Sequence, residues 1–216
     1  MPPPRAVVFD FNGTLSDDEP ILCEIFMELF AEHGRPLSAQ EYYDELAGLS
    51  DPEIVRTWLG HDQPDVDALV EERVARYRAA VSDGSNVRDA VRKAVCYAAE
   101  RVPVAVVSGA ARAEIEPVLR ACGLDGVLRS IVPADDVERG KPDPEGYVRA
   151  LELLGDGILP SDVVAFEDTE AGVASAKTAG LRCVAVVGTL APERLARADE
   201  LVERIDVDLM RRLFDE

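Results

Sequence analysis

"AVVFDFNGTLSDDEP", residues 6–20, decides the fold. A short apolar run ends on Asp10, and Asn12-Gly13-Thr14 turns the chain at once. Uninterrupted apolar residues, without polar alternation, are the pattern of a parallel strand buried on both faces. In an open α/β sheet the carboxyl ends of the strands are where ligands bind, so Asp10 is placed at a ligand-binding edge.

Working outward, the same pattern recurs at 103–108 "PVAVVS", 163–167 "VVAFE" and 183–187 "CVAVV", with a weaker run at 130–133 "SIVP". Helical patterns fall between them: 87–101, 111–122, 144–154 and 170–179. Gly123, Gly155 and Gly180 stand just past three of these, where a helix end wants a residue tolerant of positive φ. Pro117, inside the second pattern, predicts a kink or a later helix start. Strands alternating with helices predict a doubly wound, Rossmann-like α/β core with a parallel sheet.

One region breaks the alternation. Residues 12–102 are far more than one crossover needs. Within them, 19–34 puts Ile21, Leu22, Ile25, Phe26, Leu29 and Phe30 on one helical face. Further helices are expected at 38–47, 51–59 and 66–82, with no strand among them. The expected organisation is a core of 1–15 and 85–216 with an inserted all-helical cap at 16–84.

Composition sets limits on function. The chain has 216 residues, 23 basic and 42 acidic, for a net charge of −19. Such a surface repels nucleic acid and anionic lipid, so neither is expected as a partner. No apolar run is long enough to span a bilayer, and the N-terminus lacks the basic and apolar regions of a secretory signal; a cytoplasmic location is expected. Cys23, Cys96, Cys122 and Cys183 are far apart in apolar segments, as packed reduced thiols are. His33 and His61 belong to no chemical pattern. Oligomeric state leaves no mark in the sequence.

Each expected strand end brings polar side chains to one edge: Asp10, Ser108-Gly109, and Glu167-Asp168-Thr169, with Lys141 in the "RGKPDPEGY" loop. Singly, each has a plain reading: a turn or cap aspartate, a capping serine, a solvated lysine, an acidic pair at the start of a helix. Together, "DFNGT", "VVSG", "GKPDP" and "FEDTEAG" resemble, in order and spacing, the four motifs of the haloacid dehalogenase-like hydrolase superfamily. A helical cap after the first motif is similar to its phosphatase and β-phosphoglucomutase branch. The resemblance covers almost the whole chain, including "RADELV" at 197–202 as a last core segment.

The resemblance implies a Mg²⁺-dependent phosphatase acting on a small phosphorylated metabolite. Asp10 would be the nucleophile, forming an aspartyl-phosphate. Asp10, the Asn12 backbone carbonyl, Asp168 and Glu167 (the last through water) would hold Mg²⁺. Ser108, the Gly109 amide and Lys141 would bind phosphate. Three carboxylates, one ammonium and one divalent cation leave such a site near neutral. At about 4 Å and an effective dielectric near 20, each charge pair is worth about 4 kcal/mol, so this balance decides whether an anion enters.

Asn12 departs from the pattern. Phosphatases of the superfamily usually carry aspartate there, to protonate the leaving oxygen and then activate water. An amide does neither, and loss of a general acid–base costs about 10²–10⁴-fold. The departure leaves three readings: a phosphatase that is slow or prefers good leaving groups, a protein that binds a phosphorylated ligand without turnover, and a dehalogenase-like hydrolase. Schiff-base phosphonate chemistry needs a cap lysine, and 16–84 has none. Substrate choice is expected to lie in "GLSDPE", 48–53, where Ser50 is either a contact or a helix cap.

Overall fold

The computed structural model describes residues 3–215. Six parallel strands form one sheet in the order β3-β2-β1-β4-β5-β6: β1 Ala6–Phe9, β2 Val104–Val107, β3 Ser130–Val132, β4 Val163–Glu167, β5 Arg182–Val186 and β6 Glu200–Val202. This is a doubly wound parallel sheet, as expected from the sequence. Its switch point, where the order reverses, lies between β1 and β4.

The pleat sorts the strand residues by size. Val7, Phe9, Val104, Val106, Val164 and Phe166 face one side, and the Phe9 and Phe166 rings stack there at 4.9 Å. On that side lie α5 (Asp89–Ala99) and α9 (Val207–Asp215). Ala6, Val8, Ala105, Ala165, Cys183 and Ala185 face the other, under α7 (Glu145–Leu154) and α8 (Glu170–Thr178). All of these sheet residues are buried, which is why the strands read as unbroken apolar runs.

Between β1 and β2 the chain is helical: α1 Glu19–Glu32, α2 Ala39–Glu41 running into a π-helical turn Tyr42–Leu46, α3 Asp51–Leu59 and α4 Val66–Ala80. The wider turn closes with Ala47 N–H on the Tyr42 carbonyl at 2.8 Å. The expected helix at 38–47 is thus two different turns in series, and such π segments are frequent at functional sites.

One expectation needs correction, and one helix was not expected at all. The helix α6, Arg112–Ala121, starts before Pro117 and runs through it, so the later start does not hold. The carbonyl that loses its partner belongs to Ala113, an exposed residue. Helix α9 was not anticipated, although Leu209, Met210 and Leu213 form a buried helical stripe. All four cysteines are free, two buried and two partly buried. His33 and His61 are exposed. No helix among the described residues is long and apolar enough to cross a membrane.

Candidate active site

The chain leaves β1 directly into the site. Asp10 N–H bonds the Phe166 carbonyl of β4 at 2.9 Å, which fixes Asp10 beside the end of that strand. The turn behind it is tight: Gly13 N–H reaches the Ser16 carbonyl at 2.8 Å, and Leu15 and Ser16 both bond the Phe11 carbonyl at 2.9 Å. Gly13 has φ +72°, and a Cβ there would run into the Asp168 carboxylate. No other residue type fits that position.

Asp10, Glu167 and Asp168 are buried, and their carboxylate oxygens lie within 4.8 Å of one another. Lys141 answers this charge. Its ammonium pairs with Asp10 and with Glu167 Oε1 at 2.6 Å, and donates to the Val107 carbonyl at 3.4 Å. The lysine is no solvated surface residue, since its side chain is 15% exposed. Burial works against its charge, but Asp10 and Glu167 outweigh that and raise the ammonium above its ordinary value. Burial, with the charge of Glu167 added, raises the Asp10 carboxyl despite the opposing pull of Lys141.

The two acids at the end of β4 differ in their surroundings. Glu167 is fully engaged: Tyr147 donates to Oε1 at 2.7 Å, and Asp168 N–H and the Thr169 hydroxyl donate to Oε2 at 3.2 and 3.4 Å. A Cβ on Gly172 would collide with its carboxylate, so a close turn of α8 covers it. Asp168 receives the Thr14 hydroxyl on Oδ1 at 3.1 Å, while its buried Oδ2 has no partner. Neither acid caps α8; Thr169 does, accepting from Gly172 N–H at 3.1 Å. A buried acceptor without a donor, next to a second carboxylate, is an all-oxygen set suited to a hard divalent cation. The residues present fit Mg²⁺.

Ser108 and Gly109 follow β2. The Ser108 hydroxyl accepts from Ala110 N–H at 3.0 Å and donates to Asn12 Oδ1 at 3.4 Å. A Cβ on Gly109 would meet no protein atom, so nothing within the chain requires glycine there. Asp10, Asn12, Ser108, Gly109 and Lys141 all line one cavity of about 460 Å³. The structure therefore brings together every site residue expected from the sequence.

The far wall of that cavity was not anticipated beyond its loop. Residues 48–52 do line it; Ser50 precedes α3, where its N–H and hydroxyl donate to Glu53 at 3.0 and 2.7 Å, and it also lines the cavity, so both readings of Ser50 stand. The charged residues of the wall include Glu19, Asp51, Arg73 and Glu114, and Glu138, Arg139 and Asp143 line the cavity as well. Arg73 of α4 is buried and forks between Asp51 and Glu114, the latter on α6, tying the helical insert to the core. Tyr42 donates to Glu19 at 2.9 Å. Burial pushes the Glu19 carboxyl up to about 7. The only trace of this wall in the sequence is an arginine on the apolar stripe of 66–82.

Fold and site together define a doubly wound α/β enzyme with a carboxylate-and-lysine centre at its switch point. A family model for haloacid dehalogenase-like hydrolases matches residues 7–186, and the chain belongs to that family. It is 36% identical over 205 residues to a validoxylamine A 7'-phosphate phosphatase of Streptomyces hygroscopicus subsp. limoneus, covering 92% of this chain and 93% of the relative. It is 29% identical over 193 residues to a phosphorylated carbohydrates phosphatase of Thermotoga maritima, covering 86% and 87%. A crystal structure of a CbbY variant from Rhodobacter sphaeroides, in complex with xylulose-1,5-bisphosphate, superimposes with a TM-score of 0.82 at 27% identity, covering 94% and 95%. The chain is an enzyme of a family whose relatives here are named phosphatases.

Proposed function

We propose that the protein is a Mg²⁺-dependent phosphatase of small, singly phosphorylated polyols such as sugar monophosphates, working through an aspartyl-phosphate on Asp10. The observation that carries this reading is the buried Asp10 carboxylate facing Lys141, with the partnerless Asp168 Oδ2 beside it. Asp10, the Asn12 backbone carbonyl and Asp168 would hold the metal, with Glu167, paired to Lys141, reaching it only through water. The metal supplies charge that lets an anionic phosphate approach an anionic nucleophile. Lys141, the Ser108 hydroxyl and the Gly109 N–H hold the phosphate oxygens. Asp10 then attacks phosphorus in line with the leaving oxygen.

The far wall supports the substrate class. Three carboxylates stand there against Arg73, whose terminal nitrogens are already taken by two of them. Arg139 also lines the cavity but is paired with Asp143 and Glu145, and Glu138 adds a further acid, so a second phosphate would still meet net negative charge, whereas hydroxyl groups find acceptors. Residues 16–84 act as the cap that carries most of this wall, over a core of 1–15 and 85–216. The relatives' names support the coarser class of phosphorylated compounds, carbohydrates among them, while the CbbY complex holds a bisphosphate, so the restriction to monophosphates rests on the charge of this wall alone.

Phosphate release from a panel of sugar monophosphates and bisphosphates, with Mg²⁺ and with chelator, tests the reading. Metal-dependent turnover that favours monophosphates is expected. Tight binding without turnover would instead make the protein a phosphate-ligand binder, the reading favoured by Asn12. Activity indifferent to chelator would point to dehalogenase-like chemistry.

A further inference from the structure

Asp18 stands at the N-terminus of α1, yet its side chain caps nothing in that helix. It is fully buried and turned back into the loop after β1. Four donors converge on it: Asn12 Nδ2 at 2.9 Å, Gly13 N–H at 3.2 Å, the Ser16 hydroxyl at 2.5 Å, and the Tyr77 hydroxyl of α4. The Ser16 proton is committed to Asp18, because Ser16 accepts from Asn86 at 2.5 Å. With its acceptor sites filled by four donors, the carboxylate dictates how the Asn12 amide lies. The nitrogen must face Asp18, and Oδ1 must face Ser108 and the cavity.

We infer that Asp18 is a positioning residue that locks the Asn12 amide with its carbonyl oxygen toward the phosphate, so that residue 12 serves the reaction as an acceptor only. The inference rests on the phosphatase reading above. In the first half-reaction an Asp10 oxygen bonds to phosphorus and the bond to the leaving oxygen breaks. The leaving group departs with the electron pair and takes its proton from solvent, since residue 12 has none to give. In the second, a water oxygen bonds to phosphorus while donating a hydrogen bond to Asn12 Oδ1. The Asp10–phosphorus bond breaks, Asp10 regains its charge, and both water protons leave on dihydrogen phosphate. The expected signature is a steep dependence on leaving-group acidity.

The pairing also explains why an amide stands at position 12. Two carboxylates at the Asn12–Asp18 distance could not both be ionised. Carboxylate and amide are present as a pair, with Asn12 lining the cavity and the Asp18 carboxylate behind it. Exchanging them should therefore work better than adding an acid alone.

The test compares native protein, Asn12→Asp, Asp18→Asn and the double exchange, each with Mg²⁺, on aryl and alkyl phosphates of graded leaving-group acidity. Melting temperatures are taken for all four. Asp18→Asn is expected to lower the aryl-phosphate kcat about tenfold or more with little change in KM. The double exchange is expected to exceed Asn12→Asp on alkyl phosphates by about tenfold, within the usual coupling of neighbouring residues, and to flatten the leaving-group dependence. A merely structural Asp18 would lower melting temperature without changing that dependence. The inference is overturned if the double exchange does no better than Asn12→Asp, or if Asp18→Asn keeps native kcat and leaving-group dependence. If the native protein hydrolyses no phosphate ester at all, the phosphatase reading falls and the inference with it.

Discussion

The two ends of the cavity hold the same formal inventory and use it differently. At the inner end Asp10 and Lys141 line the cavity, with Glu167 and Asp168 clustered behind them; at the outer end are Glu19, Asp51 and Glu114 with Arg73. Arginine presents a planar fork, so Arg73 bridges two acids from different elements and locks them in place. Lysine is a point charge, and Lys141 serves Asp10 and Glu167 but leaves Asp168 Oδ2 without a donor. Equal charge thus gives a braced wall at one end and an acidic cluster that could hold a cation at the other. What separates them is which acceptor is left unsatisfied, not the count of charges.

The sharpest break of this comparison lies at the inner end. Asp10→Asn should abolish phosphate release while the protein still folds, because an amide is a poor nucleophile and a poor metal ligand. Steady-state assay with a melting curve checks both halves; full activity in that variant would remove Asp10 from the chemistry. Next in size is metal removal. Chelation should eliminate turnover, and Mg²⁺ should restore it better than Ca²⁺, whose looser coordination misplaces nucleophile and phosphorus. Equal rescue by both ions would mean that metal geometry does not matter.

At the outer end the large effect is on stability. Arg73→Met leaves Glu114 and Asp51 facing each other, largely buried and without their cation, a change that costs about 3–5 kcal/mol. Denaturant unfolding measures it, and a loss below about 1 kcal/mol would show the bridge behaving like a surface ion pair. The smallest effect tests both ends together. Burial raises Glu19 to about 7 and raises Asp51, Asp168 and, with Glu167, Asp10 above ordinary carboxylate values. Between the ordinary value and the raised one, the folded state holds protons that the unfolded state has released, so stability falls as pH rises through that window. In chelator the melting temperature should decline from about pH 5 to about pH 8, and Mg²⁺ should recover the inner share only. A melting temperature that climbs with pH would contradict the sign.

Much of the inner end was legible in sequence because each residue directly follows a buried apolar strand or its loop. Asp10, Ser108 and Glu167-Asp168 are marked by the strands that carry them. Of the outer end only the loop holding Asp51 was legible. Arg73 finds Glu114 41 residues away and Asp51 22 residues away, and a charged residue on a helix reads as solvated until its neighbours are known. Asp18 was hidden within the opening stretch: three of its donors, Asn12, Gly13 and Ser16, lie there too, but an aspartate just before a helix reads as a cap until the fold turns it back, and Tyr77 lies 59 residues on. Helix α9 carried a readable stripe and was missed for no physical reason. The π-helical turn at Tyr42–Leu46 has no sequence signature that separates it from an α-helix.

The central claim is that Asp10 is phosphorylated during turnover. Single-turnover mixing of excess enzyme with an aryl phosphate and Mg²⁺, quenched in acid and mapped by peptide mass, measures it directly. A transient phosphoryl label on the peptide containing Asp10, formed with the release of the aryl alcohol and decaying as free phosphate appears, is the expected result. Phosphate appearing together with the alcohol, with no label on Asp10 at any time, would contradict it.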